Sequence, residues 1–152
     1  MVEQIHSILS EHRIIFLDQQ GKRENLVSLA ENLAAAPQVK NRDELITEIL
    51  KREELMSTAI GFGIAIPHVR LSSVTDLVIS VGINKKGITD FNPLDDEPVK
   101  LLFMIAAATN QHVNYLQTLS WFSNRLKNRD LRDSLLASIT PNEVYNLLTD
   151  TI

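Results

Sequence analysis

Val99-Lys100-Leu101-Leu102-Phe103-Met104-Ile105-Ala106-Ala107 is apolar on both faces except at Lys100, the pattern of a central strand covered from both sides. Upstream of it, from Asp76, Leu77, Ile79, Val81 and Ile83 alternate with Val78, Ser80 and Gly82, which reads as a strand of period two. Residues 87–98 lie between them, and their one Gly, two Pro and four acids predict a surface loop. Working back towards the start, Asn41 followed by Glu44 opens a helix with the stripe Leu45, Ile46, Ile49 and Leu50. An earlier helix carries Leu26, Leu29, Ala30 and Leu33 at i, i+3, i+4 and i+7 and is stopped by Pro37. Before that helix, Ile14-Ile15-Phe16-Leu17 predicts a short strand. Residues 58–68, glycine-broken at the front and closed by Pro67, read as turn, short strand, stop. Two or three helices follow the central strand, the last opened by Thr140 as cap, Pro141 at its first position and Glu143 at its third. Helices interleaved with strands predict an α/β fold, a three-layer α/β/α sandwich around a central mixed sheet. Neither an internal repeat nor a Gly-, Ser- or Pro-rich linker divides the chain, so residues 1–152 are read as one domain.

Composition removes several function classes. Fifteen basic residues against nineteen acidic give a net charge of −4, with no basic block, which argues against a nucleic-acid partner. Apolar residues at 44% and charged ones at 22% are globular figures and argue against disorder. The chain has no Cys, which removes disulfides, iron–sulfur clusters, thiol nucleophiles and thiolate zinc sites and fits the cytosol. The longest apolar run, residues 101–108, is less than half of a bilayer-spanning helix. Met1-Val2-Glu3-Gln4-Ile5-His6 lacks the basic patch and apolar stretch of a signal peptide. A cytoplasmic protein with no membrane insertion is expected.

Gly61-Phe62-Gly63 invites comparison with nucleotide loops, but Ile66 stands where G-x-G-x-x-G needs its third glycine. These glycines are expected to turn the backbone sharply. Phosphate-loop, serine-hydrolase and zincin motifs are missing too. Asp90, Asp95, Asp96 and Glu97 match no calcium spacing and read as a solvated loop. His6 and His12 read as surface residues.

Three residues remain as candidates. His68 follows Pro67, which fixes its own φ, pushes Ile66 extended and supplies no N–H; the strand is expected to end there, leaving the imidazole in a crevice at the strand end. On spacing alone, a surface-loop histidine accounts for it as well. His112 lies near a helix start that Thr109 or Asn110 could cap and shares a face with Leu116, Leu119 and Leu126. That face is expected to point inward, placing a neutral imidazole at the positive end of the helix dipole; a packed histidine bonded to a carbonyl is the plainer account. Arg52 falls at i+7 from Leu45 and i+3 from Ile49 near a helix end, where the dipole alone favours a cation. At the rim of the core its guanidinium could fork onto a phosphoryl group. Lys51, Glu53 and Glu54 read as solvated.

Glu53, six residues later Ile60-Gly61-Phe62-Gly63-Ile64-Ala65-Ile66-Pro67-His68, together with Lys51-Arg52-Glu53 and His112-Val113-Asn114-Tyr115-Leu116-Gln117-Thr118-Leu119-Ser120, closely resembles the EIIA domains of the fructose/mannitol class of the bacterial phosphotransferase system, including its nitrogen-regulatory branch. The resemblance covers essentially the whole chain. It implies that His68 is phosphorylated on Nε2 and that Arg52 and His112 complete the site. It also implies a phosphotransferase relay that needs no cofactor, metal or nucleotide. HPr is then the phosphoryl donor, and the acceptor is a EIIB cysteine; with no Cys here, EIIB must lie on another chain. The regulatory alternative lets the phosphorylation state of His68 control target proteins without sugar transport, and a non-catalytic interaction domain of the same fold is a third. The family usually has Gly, Ala or Cys after this histidine; Val69 is expected to add bulk beside the ring.

Overall fold

The computed structural model describes residues 2–92 and 95–150. In chain order it contains α1 (Val2–Ile8), a 3-10 turn (Glu11–Arg13), β1 (Ile14–Phe16), α2 (Lys22–Ala34), α3 (Arg42–Leu55), β2 (Ala59–Gly61), β3 (Ile64–Ala65), β4 (His68–Arg70), β5 (Val78–Ile88), β6 (Val99–Ala107), α4 (His112–Arg125), α5 (Arg129–Ala137) and α6 (Pro141–Thr149). Two predicted caps form as the residue types require. Asn41 accepts from the Glu44 N–H at 3.0 Å. Thr140 accepts from the Glu143 N–H at 3.2 Å, while the Glu143 carboxylate reaches back to the Ile139 N–H at 3.4 Å.

The strands form one mixed sheet in the order β1-β5-β6-β3-β2, with β4 also paired to β6. β5 runs antiparallel to β6, matching Ile79 with Ile105 and Val81 with Phe103, whereas β3 and β4 run parallel to it. Because β6 is paired on both edges and double-faced, it feeds two cores. Leu101, Phe103 and Ile105 meet Phe122 of α4, Leu135 of α5 and Val144 of α6 on one side. Leu102, Met104 and Ala106 meet Leu29 and Leu33 of α2 and Leu45 and Ile49 of α3 on the other. The result is a three-layer α/β/α arrangement.

β5 extends further than expected, taking in Gly87 and Ile88 of the predicted loop. Ile88 is fully buried opposite Val99, and the irregularity before it is held by Asn84, whose side-chain oxygen accepts from the Lys86 and Gly87 N–H groups at 3.2 Å each. Pro93 and Leu94 of that loop, like Met1 of the N-terminal stretch, lie outside the described residues. No helix among the described residues is long and apolar enough to cross a membrane.

The segment that delivers His68 is built from two devices. Gly61, Phe62 and Gly63 all have positive φ (92°, 59° and 75°) and reverse β2 into β3; the Asp95 carboxylate fixes the turn by accepting the Phe62 N–H at 2.8 Å. Pro67 then interrupts the ladder, as predicted, but the strand does not end. β4 resumes on β6 in the register β3 left, with Ala65 opposite Leu102 and His68 opposite Ile105. His68 therefore opens the second half of a broken edge strand instead of standing past the sheet. β2 pairs only with β3, so no second strand pairs with the outer edge of β4 among the described residues.

Gly63→Ala would place a side chain at positive φ with its Cβ 3.1 Å from the Pro98 carbonyl oxygen. Chemical denaturation is expected to show a loss of about 1–3 kcal/mol; a loss under about 0.5 kcal/mol would contradict this account of the turn.

Candidate functional site

Arg52 stands in the last turn of α3, half-buried, and its Nη1 donates to the Met56 carbonyl at 3.0 Å. This ties the guanidinium to the chain's exit from the helix. Its neighbour Glu53, expected to be solvated, is 6% exposed. The reason is periodicity: Glu53 continues the inward row of Leu45 and Ile49 at i+4 and i+8. Its carboxylate accepts from the Thr58 N–H at 3.0 Å and from the Thr58 hydroxyl at 2.6 Å, and it pairs with Lys22 at 2.8 Å. Glu53 thereby fixes the path from α3 to β2 directly behind Arg52.

His68 is half-buried. Its Nδ1 lies 2.6 Å from the Ile66 carbonyl oxygen. A carbonyl only accepts, so Nδ1 carries the proton and the neutral ring keeps its lone pair on Nε2. Nε2 has no hydrogen-bond partner among the described residues. Burial holds the ring's pKa below the usual histidine value, and the Arg52 charge pushes in the same direction, against the Ile66 hydrogen bond and Glu53, which favour the proton.

Val69 lines the same groove as His68. It is buried in the cluster on the α2–α3 side, and the alternation of a strand sends His68 to the opposite face. Arg70, two residues on, shares the face of His68.

His112 is displaced from where its helical face was expected. It is exposed, as is Leu116, and the inward residues of α4 are Tyr115, Thr118 and Phe122. Gln111, not Thr109 or Asn110, occupies the cap position, and its side chain is engaged elsewhere, accepting from the Ala108 N–H at 3.0 Å and donating to Asp76 at 2.5 Å. The residue α4 brings to His68 is Tyr115, whose ring meets the imidazole edge-on at 5.4 Å between centroids. Burial pushes the Tyr115 hydroxyl up to about 12, with Arg52 and Arg70 opposing.

Arg52, His68, Arg70, Leu71 and Tyr115 share an open groove of about 730 Å³ with Leu55, which is 83% exposed at its mouth. Arg52 and His68 are thus brought together, while His112 lies outside that lining. Arg70 and Tyr115 are site residues the sequence reading missed; strand alternation from His68 would have pointed to Arg70, and a helix phase anchored on Phe122 to Tyr115. The groove offers an unprotonated nitrogen on a surface, flanked by two guanidinium groups that have no carboxylate partner among the described residues. Such a set suits a nucleophile that receives an anionic group. His6 and His12 are exposed, His6 lying against the Tyr145 hydroxyl at 3.2 Å.

The family described as the phosphoenolpyruvate-dependent sugar phosphotransferase system, EIIA 2, matches residues 7–151. The fructose-specific EIIA component of a phosphotransferase system from Haloferax volcanii is 34% identical over 134 residues, 88% of this chain and 84% of that protein. A nitrogen regulatory protein from Escherichia coli is 35% identical over 133 residues, 87% of this chain and 80% of that one. Among solved structures, a complex of enzyme IIAMTL and phosphorylated enzyme IIBMTL from Escherichia coli superposes with a TM-score of 0.74 at 25% identity, covering 93% of this chain and 96% of that one. On residues 7–151, the chain belongs to the EIIA 2 family of the phosphotransferase system.

Proposed function

We propose that this chain is a phosphohistidine relay of the cytoplasm, taking a phosphoryl group from phospho-HPr onto Nε2 of His68 and passing it to a EIIB cysteine on another chain. The observation that carries this reading is the Nδ1–H bond to the Ile66 carbonyl, which leaves Nε2 as the free lone pair. In the first step that lone pair attacks phosphorus, the donor's P–N bond breaks and the electron pair returns to the donor imidazole. Nδ1 keeps its proton, and the Ile66 carbonyl dipole steadies the positive charge the ring gains. In the second step a thiolate attacks phosphorus and the electrons return to Nε2. Arg52 neutralises the equatorial oxygens. His112, at the exposed start of the helix that carries Tyr115, is assigned the outer donor to those oxygens. Residues 1–152 act as one domain.

A nitrogen-type regulatory role uses the same first step and replaces EIIB with a target protein that reads the phosphorylation state. The 35% identity to the Escherichia coli nitrogen regulatory protein supports it. Offering phosphorylated protein to a panel of EIIB proteins separates the two, since only the transport reading expects the label to leave.

With phosphoenolpyruvate, EI and HPr, the protein is expected to gain one acid-labile, base-stable phosphoryl group. His68→Ala should abolish it; a fully labelled His68→Ala protein would overturn the assignment. Arg52→Ala is expected to slow labelling roughly tenfold to a hundredfold with the melting temperature nearly unchanged, whereas unfolding would mark Arg52 as structural.

The lowered pKa of His68 sets a pH dependence. The folded ring binds a proton less readily than the unfolded one, whose value is 6.5. Its contribution to stability is therefore complete above pH 6.5 and is lost as pH falls from there to the folded value. Ring NMR should show the His68 midpoint below 6.5, and Arg52→Ala should raise it, since a repelling cation is removed. A midpoint at or above 6.5 in the wild-type protein would contradict the burial and charge pattern described.

A further inference from the structure

Arg70 stands two residues after His68 on the same short strand, so both side chains leave the same face about 7 Å apart. Its guanidinium carbon lies 5.7 Å above the ring of Tyr115, and the same ring meets His68 edge-on. One Nη1 donates to the Thr109 carbonyl at 3.3 Å, immediately ahead of α4; the remaining N–H groups of the fork have no acceptor among the described residues. Thr109 and Tyr115 thus grip Arg70 at a tip and across a face, an arrangement that removes much of the freedom of an exposed arginine on the lining of the His68 groove.

The charges around the ring add weight. Arg52 reaches the groove from α3 and Arg70 from β4, both close enough to Tyr115 to act on its hydroxyl. Of the acids nearby, Glu53 is held by Lys22, while Glu48, 3.5 Å from Lys51, and Glu54 line the α3 wall of the groove together with Lys51. Two guanidinium groups that line one groove with a neutral imidazole, and that pair with no carboxylate among the described residues, suit a doubly charged anion.

We propose that Arg70 is a second phosphoryl-binding residue, gripping the group on His68 from the side opposite Arg52, and that Tyr115 is the positioning residue whose ring holds Arg70 there. The assignment rests on the relay reading above. Two guanidinium groups on opposite sides share the three equatorial oxygens, so each acts most strongly as charge spreads over them in transfer.

The test is the rate of labelling by phospho-HPr across a concentration series, for the wild-type protein, Arg70→Ala, Arg70→Lys, Tyr115→Phe and Tyr115→Leu, with circular dichroism as the control for folding. Arg70→Ala should lower the maximal rate about tenfold or more at a nearly unchanged half-saturating concentration, and Arg70→Lys should recover part of it, keeping the charge without the fork. Tyr115→Phe should stay within about twofold of wild type, because the ring and not the hydroxyl holds Arg70; a folded Tyr115→Leu should fall to the level of Arg70→Ala. Wild-type labelling with Arg70→Ala equally fast overturns this assignment alone. A loss confined to the half-saturating concentration overturns it too, since Arg70 would then dock the donor protein instead of holding the phosphoryl group. A wild-type protein that takes no label overturns the relay reading, and this assignment with it.

Discussion

The site depends on a hydrogen bond that spans two residues. Pro67 cannot donate to the ladder, so the edge strand breaks, and at the break the Ile66 carbonyl turns towards the side chain of His68, which it meets at 2.6 Å. That contact selects the tautomer, points Nε2 outward and ties the imidazole to the backbone. Because β4 resumes on β6 in unbroken register, the ring stands on an edge strand that is itself bonded to the central strand, half-buried at an open groove. A relay histidine needs both properties: fixed geometry for in-line transfer and access for two partners in turn.

The cation beside that ring is positioned by groups that never touch the groove. Glu53 turns inward from α3, binds Thr58 twice and pairs with Lys22 at the start of α2; Lys22 in turn lies over the Phe91 ring at 4.8 Å. Removing Lys22, itself only half-buried, would leave the buried Glu53 carboxylate without its cation. The pair therefore locks the exit of α3, and with it the place of Arg52, more firmly than the single Arg52–Met56 bond could alone.

The layered architecture was legible because its signals are strong and local. β6 declares itself by being apolar on both faces, β5 by strict alternation, and α3 and α6 by caps whose chemistry is specific. Pro67 and helix phase singled out His68 and Arg52 as candidates but left a surface-loop histidine and a helix-end arginine equally open; the family resemblance is what joined them. What escaped the reading was decided by tertiary packing. Leu116 and Leu119 suggested one inward face for α4, but burial is set by Phe122 against Phe103, whose rings lie 5.1 Å apart, and that phase turns His112 out and Tyr115 in. Glu53 was read by charge as solvated, although its place in the Leu45–Ile49 row said otherwise; the Lys22 that makes its burial tolerable is remote in sequence.

The central claim is that Ile66 reserves Nδ1 and leaves Nε2 to carry the phosphoryl group. Nitrogen-15 and phosphorus-31 NMR of the phosphorylated protein tests it directly, because phosphorus couples differently to the two ring nitrogens. The account predicts phosphorus bonded to Nε2 of His68 with the Nδ1–H still bound to the carbonyl; phosphorus on Nδ1, or on any other residue, would contradict it.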